Sequence, residues 1–163
     1  MPIAIKPILE KDLPEVIDIV RSFWSDDTIV VHNDFYSVAK LQGLKALLDD
    51  QIVGLLHYEI RAEECEILTL ASLREGLGVG SALISAVEVL AKENHCRRLN
   101  LVTTNDDLHA LGFYQRRGFH ITDIFPGQVD ISRKIKPSIP EIGDNQIAIR
   151  DEIRLEKELN SAV

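Results

Sequence analysis

A glycine cluster in the middle of the chain has the composition of a phosphate-binding loop. It reads Gly-Leu-Gly-Val-Gly over residues 76–80 and joins an apolar, strand-like run to an amphipathic, helix-like one. Free backbone N–H groups at the start of a helix bind phosphate, and glycines let the phosphate approach closely. Three alternating glycines also mark a special backbone rather than a plain turn. The cluster therefore indicates a ligand that carries phosphate.

The two common nucleotide loops do not fit this cluster. A P-loop ends in Gly-Lys-Ser/Thr, whereas Gly80 is followed by Ser81 and Ala82. A dinucleotide-binding loop follows the first strand of its fold and needs an acidic residue at the end of the second strand. This cluster follows the fourth predicted strand, and the next strand, 98–103, has no acid until Asp106. A nucleotide-binding protein is therefore the most distant interpretation.

A second pattern, Ala-Leu-Gly-Phe-Tyr-Gln-Arg-Arg-Gly-Phe, occupies residues 110–119. With the glycine cluster it resembles the GNAT superfamily of N-acetyltransferases. The loop of that family, Gln/Arg-x-x-Gly-x-Gly/Ala, follows the fourth strand, and a later helix ends in Ala-x-x-Leu/Phe-Tyr-x-x-x-Gly-Phe. Gly78 and Gly80 fall on the two loop glycines, and residues 110–119 match the second signature position by position. The close resemblance spans residues 64–119.

Two positions depart from the family pattern. The Gln/Arg of the loop falls on Glu75, with Arg74 one residue earlier. An asparagine that is frequent before the second signature falls on Asp107, and Asn105 lies two residues earlier as a substitute. Backbone donors in the loop still serve, so these changes affect individual contacts more than the family assignment.

The resemblance implies that acetyl-CoA, the acyl donor, lies where the fourth and fifth strands splay apart. The backbone of Leu68 and Leu70 would pair with the pantetheine as an added strand does. Loop N–H groups would hold the pyrophosphate, with help from the dipole of the following helix. The implied polar contacts to the cofactor are Glu75, Gly76, Gly78, Val79, Gly80, Ser81, Asn105 and Asp107.

Acetyl transfer to an amine needs a base for the ammonium, a donor for the oxyanion and an acid for the leaving thiolate. The resemblance assigns the acid to Tyr114, because the matching tyrosine of the family protonates the sulfur of CoA. Glu64 falls where some relatives carry a glutamate base. Glu66 lies on the same face of that strand, so either carboxylate, or a water chain, remains open as the base.

Other candidate residues are weaker indications of a catalytic or metal site. His57 and Glu59 share a face of the preceding strand, where they would line an acceptor pocket or form a surface pair, and we favour the surface pair. The five histidines show no metal-ligand spacing, so no metal site is predicted. No Gly-x-Ser-x-Gly elbow is present, and Ser81 fits a phosphate contact better than a nucleophile.

Composition limits the class of protein. The 163 residues include 26 acidic and 18 basic ones, for a formal charge of −8, so nucleic acid is not an expected partner. A short basic run at 133–136 is one of two local exceptions. Neither a membrane span nor a signal peptide is apparent, so we expect a cytoplasmic protein that does not bind membranes. Two cysteines without a Cys-x-x-Cys motif predict reduced thiols.

The elements that position these residues follow from hydrophobic periodicity. The predicted strands are 3–9, 44–49, 52–61, 64–72, 98–103 and 119–125, the last with Phe119, Ile121 and Phe125 on one face. One predicted helix begins at a capping box of Asp12 and Glu15, a second runs from the glycine cluster to Asn94, and a third covers 107–117. Residues 25–43 predict a loop with at most one short helix, 129–136 a helical turn or two, and 147–159 a last strand to about Lys157 or a charged helix.

This order of elements predicts a layered α/β (α+β) fold with a mixed sheet and helices on both faces. The resemblance adds a mostly antiparallel central sheet of about six to seven strands that splays between strands 4 and 5. We expect one domain over 1–163, with a core at about 1–125 and a C-terminal extension over 126–163.

The predicted function is acetyl-CoA-dependent N-acetyl transfer to a primary amine by direct attack in a ternary complex. The alternative is a non-catalytic acetyl-CoA-binding or sensor module on the same fold. This alternative stays open because Glu75 and Asp107 depart from the family pattern. A small-molecule amine and a peptide amine both remain candidate acceptors, and acidic residues such as Glu59 and Glu64 favour a cationic one. Relatives often pair, so a homodimer is compatible with the resemblance.

Overall fold

The computed structural model describes residues 2–159, which contain nine strands and four α-helices. The strands are β1 (Ala4–Pro7), β2 (Thr28–Val31), β3 (Asp34–Ser37), β4 (Gln42–Leu48), β5 (Gln51–Arg61), β6 (Glu64–Ser72), β7 (Arg98–Thr104), β8 (His120–Phe125) and β9 (Glu152–Glu158). The helices are α1 (Leu13–Trp24), α2 (Val79–Glu93), α3 (Leu108–Arg116) and α4 (Gln128–Ile135). None of these helices is long and apolar enough to cross a membrane.

Seven strands form one sheet in the order β1-β4-β5-β6-β7-β9-β8, while β2 and β3 form a separate hairpin. The pair β6–β7 is parallel, and the other neighbouring strands of the large sheet are antiparallel. This arrangement confirms the predicted mixed, mostly antiparallel sheet. A parallel pair needs a crossover, and here α2 supplies it between β6 and β7.

Helices cover both faces of the sheet and divide the core into two clusters. In β5, Leu56 joins a cluster with the α2 residues Leu83 and Val87, whereas its neighbour Leu55 joins Val16 and Val20 of α1. Successive side chains of a strand point to opposite faces, so a central strand buried on both sides is apolar without a break. The helices on both faces are therefore confirmed.

The sheet opens between β6 and β7, as predicted for its fourth and fifth strands. The two strands pair only from Glu64 opposite Arg98 to Ile67 opposite Leu101. Beyond these pairs β6 continues to Ser72 and β7 to Thr104 without pairing to each other. The free edges of both strands therefore face a gap.

The prediction of a loop over residues 25–43 is wrong, because this segment holds the β2–β3 hairpin and a short 3₁₀ turn over Val38–Lys40. The predicted capping box at Asp12 is also wrong. Its carboxylate accepts the backbone N–H of Leu9 and the ammonium of Lys45, both at 2.7 Å, and makes no cap to α1. Asp12 thus pairs with Lys45, which is distant in the sequence, and does not cap the helix that follows it.

The C-terminal part differs from prediction in one respect and agrees in another. Phe119, Ile121 and Phe125 are predicted to share one face, but Phe119 is buried whereas Ile121 is 46% exposed on β8, the outermost strand of the sheet. The predicted last strand is present as β9, although it begins at Glu152 rather than near residue 147. It lies between β7 and β8 and pairs with both, so it joins β8 to the rest of the sheet.

Candidate functional site

A cleft of about 810 Å³ lies where β6 and β7 separate, bordered by the glycine loop and helix α3. Ten of the predicted site residues line it: Leu68, Leu70, Glu75, Gly76, Gly78, Val79, Gly80, Ser81, Asp107 and Tyr114. Glu64 and Asn105 are not among its lining residues. The structure therefore brings both sequence patterns, which lie about 30 residues apart, to one cavity.

The glycine loop presents its backbone to the cleft. Gly76 and Gly78 have φ of +77° and +72°, a conformation that favours glycine, and α2 begins directly after them. No side chain caps the first turn of α2, so its N–H groups are free to bind an anion. Gly80 packs against Phe113 of α3, whose ring lies 3.1 Å from where a Cβ would be. The loop is thus held against α3 with its donors open.

A β-bulge interrupts β6 beside the gap. His57 of β5 pairs with Thr69 while the next residue, Tyr58, pairs with Ile67, so Leu68 is the extra residue. A bulge leaves its extra residue out of the hydrogen-bond ladder. Leu68 and Leu70 lie beyond the last pair with β7, so this stretch of β6 offers an open edge to an extended ligand.

The acidic residues of the cleft differ in their roles. Asp107 accepts the Ala110 backbone N–H at 3.0 Å and so caps α3. This contact fixes the carboxylate, as expected of a residue that starts a helix. Glu75 is exposed on the loop and forms no ion pair with another described residue.

Asn105 serves a different contact from the one predicted. Its side chain donates to the carbonyl of Ala148 at 2.9 Å and accepts the backbone N–H groups of Arg150 and Asp151 at 3.0 Å. These bonds tie the end of β7 to the segment that leads into β9. The side chain is thus used by the backbone of the C-terminal segment rather than directed to the cleft.

Tyr114 is the buried phenol of the cleft, with 8% of the residue exposed. Its ring packs edge-on between Phe113 and Phe119, with centroids 5.2 and 5.4 Å away. Burial, with a smaller effect of Asp107, raises the pKa of Tyr114 above its usual value. The phenol therefore keeps its proton at neutral pH, so it can donate a proton but does not serve as a base.

A second cavity of about 290 Å³ adjoins the cleft, and Val102 of β7 lines both. Its ionisable lining residues are His32, Asp34, Glu59, Arg61, Glu64, Glu66 and Arg154. The β2–β3 hairpin supplies His32 and Asp34, so the segment predicted to be a loop builds one wall. Four carboxylates face two guanidinium groups, which gives this cavity a net negative lining.

Glu64 and Glu66 differ in their surroundings within the second cavity. Glu64 lies 3.5 Å from a nitrogen of Arg98 and 3.7 Å from one of Arg154. Glu66 has no ion pair or hydrogen bond to a described side chain, and burial raises its pKa although Arg154 and Arg61 lower it. The burial of Glu66, which has no ion-pair partner, therefore favours its uptake of a proton.

Several features of the site could not be predicted from the sequence. Trp24, at the end of α1, lines the cleft, and the position of Val102 between two cavities depends on the sheet opening.

His57, predicted to be a surface group, is 1% exposed, so that interpretation is wrong. No cluster of three or more metal-ligating side chains occurs within residues 2–159.

Comparison with known proteins agrees with this geometry. Residues 8–119 match the sequence model of the acetyltransferase (GNAT) family. The chain is 42% identical over 147 residues to the uncharacterized protein YxbD of Bacillus subtilis (strain 168), covering 87% of this chain and 92% of YxbD.

Two solved structures share the fold. The first, named IAA acetyltransferase, from Bacillus cereus ATCC 14579, superimposes with a TM-score of 0.73 at 24% identity and covers 97% of this chain and all of its own. The second, a GNAT family acetyltransferase from Elizabethkingia anophelis with acetyl-CoA bound, has a TM-score of 0.67 and 25% identity, covering 96% of this chain and 98% of its own.

Proposed function

The chain belongs to the GNAT acetyltransferase family, and from that premise we propose that it transfers the acetyl group of acetyl-CoA to an amine bound in the second cavity. The observation that carries this proposal is the junction at Val102, where a cleft suited to the cofactor meets a cavity with a negative lining. Donor and acceptor can then occupy separate cavities and react where these meet. Such an arrangement supports direct attack in a ternary complex.

The cleft offers acetyl-CoA the contacts that its parts need. The open edge of β6 at Leu68 and Leu70 suits the amide groups of pantetheine, which pair as an added strand does. The free N–H groups at the start of α2 suit the pyrophosphate. A related structure at 25% identity holds acetyl-CoA, which supports the same ligand here.

Two residues of this chain would move the protons of the reaction. Glu66 takes a proton from the ammonium of the acceptor, directly or through water, because only the neutral amine attacks the thioester carbon. As the carbon–sulfur bond breaks, Tyr114 gives its phenolic proton to the leaving thiolate. Glu64, held by two arginines, would contribute to the charge of the cavity rather than act as the base.

The second cavity favours a cationic acceptor. Asp34, like Glu66, has no ion pair with another described residue, so a protonated amine would gain attraction there without displacing an existing partner. A small amine and the amino group of a peptide both fit this chemistry. The cytoplasmic location and the homodimer stay predictions from the sequence.

Calorimetric titration with acetyl-CoA tests the proposal, with NAD and ATP as controls. We expect micromolar binding of acetyl-CoA and no heat from either control. Amines of graded charge are then screened by release of the CoA thiol. Binding without thiol release from any amine or peptide would favour the sensor alternative, and the absence of acetyl-CoA binding would overturn the proposal itself.

A further inference from the structure

The ten arginines of the chain divide into two groups by their partners. Seven have an aspartate or glutamate oxygen within 3.9 Å: Arg21, Arg61, Arg97, Arg98, Arg133, Arg150 and Arg154. Arg74, Arg116 and Arg117 have no such partner among residues 2–159, and all three line the cleft. In a chain of net charge −8, the guanidinium groups left unpaired are thus gathered at one place.

Arg117 is fixed against the glycine loop. Its Nε donates to the Ser81 hydroxyl at 3.1 Å, a second nitrogen contacts the same oxygen, and the third donates to the Phe113 carbonyl at 2.9 Å. The guanidinium also lies over the Phe113 ring, 3.5 Å from its centroid. A guanidinium has five N–H donors, so two of the five remain available for an anion.

Arg116 and Arg117 are adjacent in the chain and carry like charges, so they repel each other. Burial, followed by the charge of Arg116, lowers the pKa of Arg117. Repulsion of this kind is relieved when an anion binds between the two groups. Glu75 and Asp107 also line the cleft but pair with none of the three arginines, and Asp107 is engaged at the start of α3.

The loop itself lacks the cation that the family pattern would place on it, because that position is Glu75. The amide donors of the loop suit one diphosphate group. Coenzyme A carries a further phosphate on the ribose. Cations from a neighbouring element can neutralise it, and α3 ends beside the loop with two arginines, of which Arg117 contacts Ser81 of the loop.

We propose that Arg116 and Arg117, assisted by Arg74, bind the ribose phosphate of coenzyme A and make the cleft selective for the 3′-phosphorylated cofactor. This inference rests on the proposed function. Planar guanidinium groups bind phosphate through paired N–H donors, which a single lysine ammonium does not reproduce. The recognition of this phosphate would then come from the end of α3 rather than from the loop.

Affinities for acetyl-CoA and 3′-dephospho-acetyl-CoA, measured by calorimetry, test the inference. For the unchanged protein we expect about 10- to 100-fold tighter binding of acetyl-CoA, the size of one or two charge-assisted bonds. Arg116→Gln should reduce this preference several-fold and leave the affinity for the dephosphorylated form little changed. Arg117→Gln should also reduce the preference, but because Arg117 holds Ser81 of the loop, the affinity for both forms should fall as well. Arg117→Lys should restore only part of the preference.

Arg97→Gln is the matched control, because Arg97 is exposed, pairs with Glu63 and lies at the opposite end of β7 from the cleft. It should keep the full preference. Thermal unfolding shows whether each variant folds, and Arg116, which is exposed, is the safer substitution. Equal binding of both cofactors by the unchanged protein, or an equal loss of both in Arg116→Gln, would overturn this inference alone. If neither cofactor binds the unchanged protein, the proposed function fails with it.

Discussion

The hydroxyl oxygen of Thr69 lies 2.7 Å from Nδ1 of His57 and accepts the backbone N–H of the same histidine at 2.9 Å. Since that oxygen already accepts one bond, its own proton is available to Nδ1, which suits a neutral imidazole. His57 is buried between β4 and β6, and burial lowers its pKa to about 4. The core of this protein thus contains a histidine that resists protonation.

The first prediction concerns stability in acid. Below pH 6.5 an unfolded chain takes up a proton at His57, while the folded chain does not until about pH 4. Protons therefore favour unfolding, and this group alone should remove roughly 2 kcal/mol of unfolding free energy between pH 6.5 and 5. Urea unfolding at both pH values should show a smaller loss for His57→Gln than for the unchanged protein. His120→Gln, on an exposed strand, should behave like the unchanged protein, and equal losses in all three would contradict the assignment.

The second prediction separates catalysis from cofactor binding. Tyr114→Phe removes the phenolic proton and keeps the ring that packs between Phe113 and Phe119. We expect kcat to fall by about 10²- to 10⁴-fold, the usual contribution of a proton donor. The dissociation constant of acetyl-CoA should change by less than about threefold, because the ring itself stays in place. Thiol release and calorimetry measure the two quantities, and a variant with normal turnover would exclude Tyr114 as the acid.

The third prediction identifies the base. Glu66→Gln should lower kcat by about 100-fold or more, and Glu64→Gln by much less, since Glu64 is held by arginines. Because burial raises the pKa of Glu66, the active carboxylate form should increase with pH above the usual carboxyl range. In a plot of kcat/KM against pH, the rise on the acidic side should therefore be lost in Glu66→Gln. Glu63→Gln, an exposed change, is the control, and a larger loss in Glu64→Gln would reverse the assignment.

The fourth prediction tests the backbone of the loop. Gly78→Ala places a side chain at a φ of +72°, which costs about 1 kcal/mol or more. Strain of this size should shift the loop and weaken acetyl-CoA binding about fivefold or more. Gly127→Ala meets nearly the same strain, at a φ of +73°, far along the chain from the loop. It should lower the unfolding midpoint similarly without weakening binding, so equal cofactor affinities in the two variants would contradict the role of the loop.

Elements defined by local pattern were predictable from the sequence. The strand over 64–72, the helix after the glycine cluster and the position of Tyr114 all depend on periodicity or a signature that a short segment carries by itself. Gly118 likewise ends its helix with a φ of +90°, as a glycine in that place predicts. The cleft was predictable through the family resemblance that the two patterns carry, and residues of both patterns line it.

Features that depend on distant partners were not predictable. The basic run at 133–136 looked like a surface patch, yet Lys136 donates to the carbonyls of Trp24 and Thr28 at 2.9 and 2.7 Å. Arg133 similarly donates to three backbone carbonyls of the C-terminal segment. No local pattern distinguishes a cation that faces water from one that holds two loops together. The β2–β3 hairpin, which builds a wall of the second cavity, was missed for a different reason. Its pairing is local, but each strand has only four residues and no glycine marks the turn between Val31 and Asp34.

The place of β9 between β7 and β8 has a consequence for synthesis of the protein. Both neighbours leave the ribosome before β9, and 33 residues separate Phe125 from Glu158. At ordinary elongation rates the edge of β8 therefore waits roughly two to seven seconds for its partner strand, and the edge of β7, which ends at Thr104, waits longer. Unpaired strand edges are templates for association with other chains. Until β9 has been made, β7, which borders the cofactor cleft, thus has an unpaired edge that can associate with another nascent chain.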